Sequence, residues 1–567
     1  VTHGGRFGYL GLAVALLAAC AVGPNFKPPH EPVPAQYTGV PAADATPGGV
    51  APGGAASSAA AAGGAASASA NRPSATVPPT VPPLSAVPPP PAAPPKPAPP
   101  PPVVAPHATS DAEPDAFWWQ QFHDTNLDDL EKRAAGGNLD LKAAYLRIVE
   151  SRIQVMSARA QGLPQLNASA SYMREQLGLA GLLKTQGIGT SGTTSASTQQ
   201  LLNGLEKPVN IYQLGFDASW ELDLFGKVRR NVEAAKAAAA GSVESRNDLL
   251  VTLEADVAQN YLQMRAAQAL RQVTLDLIAS QRDVVELTTS RHEHGLAGEA
   301  DVASAQGQLA NLESQLPPYE QTIATARHAL AVLIGQPPEA LDTEFDLSGS
   351  MPSLPAVVPV GLPSTLARRR PDIRSAEDSL HQATAQIGVA VAAFFPDITL
   401  SGTYGLRNTG TRYLFDSASN FYTFGPKVSL PIFDGGSVVA SVRLTRAEAE
   451  AAALNYRKTV LSALQDIEDD LTALTTDAAR SASLRDAVLA DQRALDVDLD
   501  AYRHGILSYI NVLSVQIQVV QARQQLAESL LTQSTDLVKL YKALGGGWEN
   551  APRLDDEKAP PVAAAQP

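Results

Sequence analysis

Between residue 228 and about residue 291 the chain contains a single glycine, Gly241, and no proline, and Ala, Glu, Gln, Leu and Arg dominate. A helix over that stretch reaches roughly 95 Å at 1.5 Å per residue, about three times the diameter of a small domain. A return run follows from about 301 to 333. The later part of the chain carries a second such pair, 438–502 and 509–544, reversed at Gly505. Helices this long cannot bury their apolar positions inside an ordinary globule, so they are expected to pack side by side as coiled hairpins. Plentiful alanine and only 5% aromatic residues suit close helix packing better than a bulky core.

The chain also repeats itself. Asp140, Ala144, Pro164 and Tyr172 recur as Asp372, Ala376, Pro396 and Tyr404, with 372 − 140 = 232. Gly226, His294, Gly295 and Gly335 recur as Gly436, His504, Gly505 and Gly545, with 436 − 226 = 210. The change of offset places an extra loop in the first half, the Gly- and Ser-rich stretch 178–204. Two halves on one plan predict two internal structural repeats.

Each half holds two stretches of period-2 alternation, the signature of strands with one apolar and one polar face. They are 166–173, 209–222, 398–404 and 422–432, with Leu166, Tyr172, Tyr212, Phe216, Trp220, Leu400, Tyr404, Tyr422 and Phe424 on the apolar sides. In hydrocarbon every strand edge must be closed into a barrel, and membrane barrels need at least about eight strands. Four strands cannot close alone; three chains supply twelve. A soluble sandwich or hairpins packed on helices are the other readings of the same alternation.

The one cysteine, Cys20, follows a basic start at Arg6 and a short apolar run from Gly11 to Ala19. That run is too short to span a bilayer as a helix and reads as a secretory signal. Leu17-Ala18-Ala19-Cys20 resembles the bacterial lipobox, which implies cleavage before Cys20 and acylation of it, and Ala21 in place of Asp implies passage to the outer membrane. Residues 39–114 are mostly Ala, Pro, Gly and Ser, which cannot bury enough apolar surface to offset ordering entropy. They read as a polyproline-rich tether. The expected organisation is a signal peptide (1–19), a lipidated segment (20–38), a disordered tether (39–114), two repeats (115–345 and 346–548) and a disordered tail (549–567).

Several motifs together carry a family resemblance. They are Cys20-Ala21-Val22-Gly23-Pro24, Phe117-Trp118-Trp119, Trp220-Glu221-Leu222-Asp223-Leu224-Phe225-Gly226-Lys227 and, most specific, Leu366-Ala367-Arg368-Arg369-Arg370-Pro371-Asp372-Ile373. Phe394-Phe395-Pro396, Pro431-Ile432-Phe433-Asp434-Gly435-Gly436 and Leu540-Tyr541-Lys542-Ala543-Leu544-Gly545 complete the set. With them the chain resembles the TolC family of outer-membrane efflux proteins, in its lipoprotein (OprM/NodT-type) branch. The resemblance implies a mainly α fold with membrane β. Four strands per chain would contribute to a trimeric twelve-stranded barrel, continuous with a long periplasmic α-helical barrel. It also implies a homotrimer that meets a periplasmic adaptor, an inner-membrane pump and outer-membrane lipid, and that conducts small molecules passively. A protein-secretion or metal-efflux duct of the same fold, and a non-conducting lipid-anchored periplasmic scaffold, are the alternatives.

The helix reversals at His294-Gly295 and His504-Gly505 mark the expected periplasmic tips. Family members often place acids just past the second tip. The matching residues here, Asn511 and Ser514, are neutral, and Asp301 is the first-half counterpart of Asn511 (301 + 210 = 511). A weaker cation-binding constriction is expected, with helix capping as the plainer role for these residues. No metal site is expected at His292-Glu293-His294, which lacks further converging ligands. No catalytic site is expected at Glu221 and Asp223, and no cofactor beyond the covalent lipid on Cys20. The net charge of −14 excludes a nucleic-acid partner in general terms, since phosphate binding needs clustered cations. The run Arg368-Arg369-Arg370 reads as a solvated or ion-paired face.

Overall fold

The computed structural model of the chain describes residues 21–29, 33–34, 36–37, 108–176, 208–355 and 357–550. Cys20, the extra loop 178–204 and most of the proline-rich stretch lie outside them.

In chain order the main elements are β1 (Ala108–Ser110), α1 (Thr125–Gly137), α2 (Leu139–Ala160), β2 (Gln165–Glu175), β3 (Val209–Glu221) and α3 (Lys227–Glu293). There follow α4 (Glu299–Glu313), α5 (Leu316–Leu333), β4 (Val357–Pro359), α6 (Pro371–Ala392), β5 (Asp397–Asn408), β6 (Asn420–Ser429), α7 (Ser437–Arg503) and α8 (Tyr509–Ala543). The long helices α3 and α7 have 67 residues each, about 100 Å of rise. Their starts and ends differ by 437 − 227 = 503 − 293 = 210, and α2 and α6, 22 residues each, differ by 371 − 139 = 232.

The expected return helix from about 301 to 333 is instead two helices, α4 and α5, interrupted at Ser314-Gln315. Pro317 and Pro318 have no N–H to give to the carbonyls of Glu313 and Ser314, so the first helix must stop and a second starts with proline in its first turn. The second half has no proline there, and α8 runs unbroken for 35 residues.

The four longer strands form one antiparallel sheet in the order β2-β3-β5-β6. The main core sits at the waist, around the middle of α3. There Tyr261, Leu262 and Met264 pack with Leu127 and Leu130 of α1, Ile323 and Leu330 of α5, Ile467 and Leu471 of α7, and Leu537 and Tyr541 of α8. Trp118 stacks on Tyr541 with ring centroids 5.2 Å apart. Two arginines of the basic run, Arg369 and Arg370, are ion-paired beside this core, while Arg368 is exposed. Arg370 makes paired bonds to Asp372 (3.0 and 2.8 Å) and one to the Ala543 carbonyl (3.0 Å). Arg369 donates to the Pro114 carbonyl and to Glu549, each at 3.0 Å.

Two expected boundaries move. The folded part reaches back beyond Asp115, because β1 pairs in parallel with β4, and forward to a turn at Trp548–Asn550. The segment before the proline-rich stretch is itself packed. Residues 22–26 lie against the junction of β3 with α3, where Val22 N–H reaches the Phe225 carbonyl (3.1 Å). Buried Arg230 binds the carbonyls of Val22 and Gly23 and the Asn25 side chain (2.7 Å for the last). Phe26 stacks on His381 of α6 at 4.3 Å. Tyr37 is buried in the waist core together with Val358, the β4 partner of Thr109. The described residues on either side of the proline-rich stretch, Tyr37 and β1, therefore both lie at the waist.

Candidate conduit: an open sheet and two helical tips

Residues on alternate faces of the sheet differ sharply in chemistry. Across the four strands one aligned row reads Ala168, Phe216, Tyr404 and Tyr422, and the adjacent row reads Asn167, Asp217, Thr403 and Thr423. The apolar face is uncovered within the chain: Phe216, Tyr404, Tyr422 and Phe424 are 55%, 57%, 80% and 74% exposed. The polar face is internally bonded. Asp217 accepts from Ser169 and from Thr403, both at 2.9 Å, and so ties β2, β3 and β5 together. Arg407 donates to Gln213 (2.8 Å) and lies over the Phe421 ring (4.5 Å). The outer strands β2 and β6 have no further neighbour among the described residues.

Below the sheet, two aspartates hold the long helices in place. Asp223 accepts from the backbone N–H of Val228 (3.2 Å) and Arg229 (2.9 Å), and Asp434 from those of Gly436 (2.9 Å) and Val438 (2.7 Å). Those backbone bonds hold the Asp434 carboxyl below the usual aspartate range. Glu221 pairs with Lys227 at 3.0 Å. The carboxylates Glu221 and Asp223 thus serve a strand-to-helix junction.

At the far end both long helices stop in the same way. Gly295 (φ +73°) and Gly505 (φ +75°) adopt the left-handed conformation that a side chain resists. The N–H groups of Leu296 and Ile506 reach back to the carbonyls of Arg291 (2.7 Å) and Ala501 (2.9 Å). His294 and His504, both exposed, each place Nδ1 on a carbonyl of their own last turn, Ser290 (2.7 Å) and Asp500 (2.8 Å). Asp301 accepts from the Gly298 N–H at 3.2 Å, closing the first turn of α4. Asn511 reaches the Ser508 hydroxyl at 3.3 Å, and Asn511 and Ser514 are exposed three residues apart on α8. The capping role is thus present at the first tip, in Asp301; at the second tip Ser508, which precedes α8, makes no side-chain capping bond.

Sequence reasoning missed the link between the two tips. Arg291 donates to the Tyr502 carbonyl (2.6 Å) and lies over the Tyr502 ring (4.7 Å). Tyr502 reaches Thr288 (3.3 Å), and buried Gln281 binds Tyr509 (3.2 Å) and Gln516 (2.5 Å). Val284, Tyr502, Tyr509 and Val512 form a second core joining α3 to α7 and α8. The pairing was not legible because it connects residues about 211 positions apart.

The family model for outer membrane efflux proteins matches residues 130–336 and 362–546, one block in each half. The chain belongs to the outer membrane efflux protein family. This efflux protein is 34% identical over 432 residues to the toluene efflux pump outer membrane protein TtgC of Pseudomonas putida, a match covering 76% of this chain and 85% of that one. It is 30% identical to nodulation protein T of Rhizobium leguminosarum bv. viciae, over 79% of this chain and 88% of the relative. The solved outer-membrane channel OprN superposes with a TM-score of 0.70 at 30% identity, covering 78% of this efflux protein and 95% of OprN. The resemblance carried by the motifs is therefore met. The family is one of outer-membrane channels rather than enzymes, and efflux proteins of this kind work with pump components.

Proposed function

We propose that three copies of this efflux protein close their sheets into one twelve-stranded barrel above a barrel of long helices, forming a passive exit duct for small molecules. The observation that carries the reading is the open four-stranded sheet, with an exposed apolar face and two edges unpaired among the described residues. Backbone groups on such edges cannot be left unsatisfied in lipid, so the apolar face belongs to the bilayer only if neighbouring copies pair with β2 and β6. The polar rows, with Asp217 and Arg407, then line the water-filled interior. The equal lengths and constant offsets of α2 and α6, and of α3 and α7, support a duplicated, pseudo-symmetric chain.

The tips form the inner mouth, where a periplasmic adaptor and an inner-membrane pump would dock. Cys20, the proposed site of acylation, precedes Val22 by two residues, and Val22 is bonded at the junction of β3 with α3. Asn511 and Ser514 bring no charge to that mouth, and the carboxylate of Asp301 is engaged by its own helix, which supports a weak cation-binding constriction.

Light scattering of the detergent-extracted protein, with detergent mass subtracted, is expected to give three chains per particle, and planar bilayers are expected to show ion conductance. A stable monomer without conductance would instead favour a lipid-anchored scaffold. Micromolar divalent cations leave most of the current intact; closure at those concentrations would contradict the weak constriction.

A further inference from the structure

Beside the waist core lies a cavity of about 330 Å³, remote in sequence from the sheet and the tips. Its walls come from the turn at Phe117 and Trp119, from α1, the start of α2, the middle of α3, and Gly547. Two acids line it, Glu131 of α1 and Glu254 of α3, only 2% and 4% exposed. Neither oxygen of Glu131 has a hydrogen-bond partner, nor has Oε2 of Glu254, nor the Nε1 donor of Trp119 on the same walls. Orphaned buried acceptors of this kind are costly, and the waist core gives them no partner.

The chemistry of the walls limits what can sit there. Acceptors outnumber donors among these orphans, and a primary ammonium offers donors alone. Trp119 and Phe117 offer aromatic surface of the sort that attracts a cation, and Leu141 and Leu250 offer apolar surface to the rest of the molecule. A hard metal ion would need more oxygen ligands than two carboxylates provide, and the described residues contain no group of three metal-binding side chains. Phe117 and Lys132, both exposed, bring the cavity to solvent.

We propose that this cavity binds a primary alkyl- or arylalkylammonium, its charged head on Glu131 and Glu254 and its apolar body against Phe117, Leu141 and Leu250. Burial pushes both carboxyls upward. Glu254 and Asp128 add to the effect at Glu131, while Glu549 adds to it and Arg246 opposes it at Glu254. Lys132, beside Glu131 on α1, and Arg246, bonded to Asn247 at 3.2 Å, are the cations on the walls. Binding of the ammonium therefore displaces a proton and tightens as pH rises.

Calorimetry on the full-length extracted protein, with 2-phenylethylammonium as probe and 2-phenylethanol as its neutral counterpart, tests this. The amine is expected to bind with Kd on the order of 0.1–1 mM, and the alcohol about tenfold or more weaker. Glu131→Gln combined with Glu254→Gln, which keeps the volumes, lowers amine affinity by about tenfold or more. Repeating the wild-type titration at pH 6 in two buffers of different ionisation enthalpy shows proton release, a readout that does not depend on the variant folding. No binding, equal affinity for the alcohol, unchanged binding by a folded variant, or no proton release would each overturn the assignment.

Discussion

At the residue scale, the waist is crowded with acids whose surroundings disfavour charge. Asp470 on α7 is pushed up to about 7, first by burial, with Asp536, Asp466 and Asp469 adding to it and Lys539 opposing. Its folded value lies above the unfolded one, so the folded state holds the proton longer. Stability is then greatest in acid, declines from about pH 4 to about pH 7, and is flat above that. Asp470→Asn removes this decline and raises the melting temperature at pH 8 by about 2–4 °C, the shift expected for roughly 1 kcal/mol in a large domain. Melting curves at pH 5 and pH 8 check it, and equal slopes in variant and wild type would refute it. None of this was legible in the sequence. Asp470 sits in a charged run, and only packing against α8 separates it from exposed Asp469. Glu131 likewise looks like a surface residue of an amphipathic helix until the Trp118-Trp119 turn covers it.

At the element scale, much could be read in advance. Helix ends announce themselves chemically: Gly226 and Gly436 precede the long helices, and Gly295 and Gly505 end them. Strand positions followed from alternation, and the observed sheet keeps the expected partition, with Phe216 and Tyr404 opposite each other on the apolar face. The failure at Pro317-Pro318 came from weighing the periodicity of the return run above its punctuation. Contacts between hairpins are a different matter, since nothing local encodes which carbonyl Arg291 will find. Arg291→Ala removes both the bond to the Tyr502 carbonyl and the ring contact. The tips then separate more readily, and single-channel conductance or open probability in planar bilayers rises several-fold. An unchanged current would place the narrowest point elsewhere.

At the scale of the whole molecule, the proline-rich stretch changes meaning. Read from composition, it is an extended tether whose role stays open. In the structure, Tyr37 on one side and β1 on the other both lie at the waist. Deleting residues 41–105 and joining the flanks with a short Gly/Ser linker is expected to leave particle mass, conductance and melting temperature within error of wild type. A fall of more than about 5 °C, worth more than 1 kcal/mol by the same scaling, would assign the stretch a structural part.

The residues just after Cys20 have a further consequence, for the order of events during synthesis. Asn25 finds its partner Arg230 across 205 positions, and Phe26 finds His381 across 381 − 26 = 355. Residues 22–26 leave the ribosome long before either partner exists, so they cannot nucleate anything. They can settle only after the chain has been made through α6, and docking them becomes a late stitch that ties the first half to the start of the second.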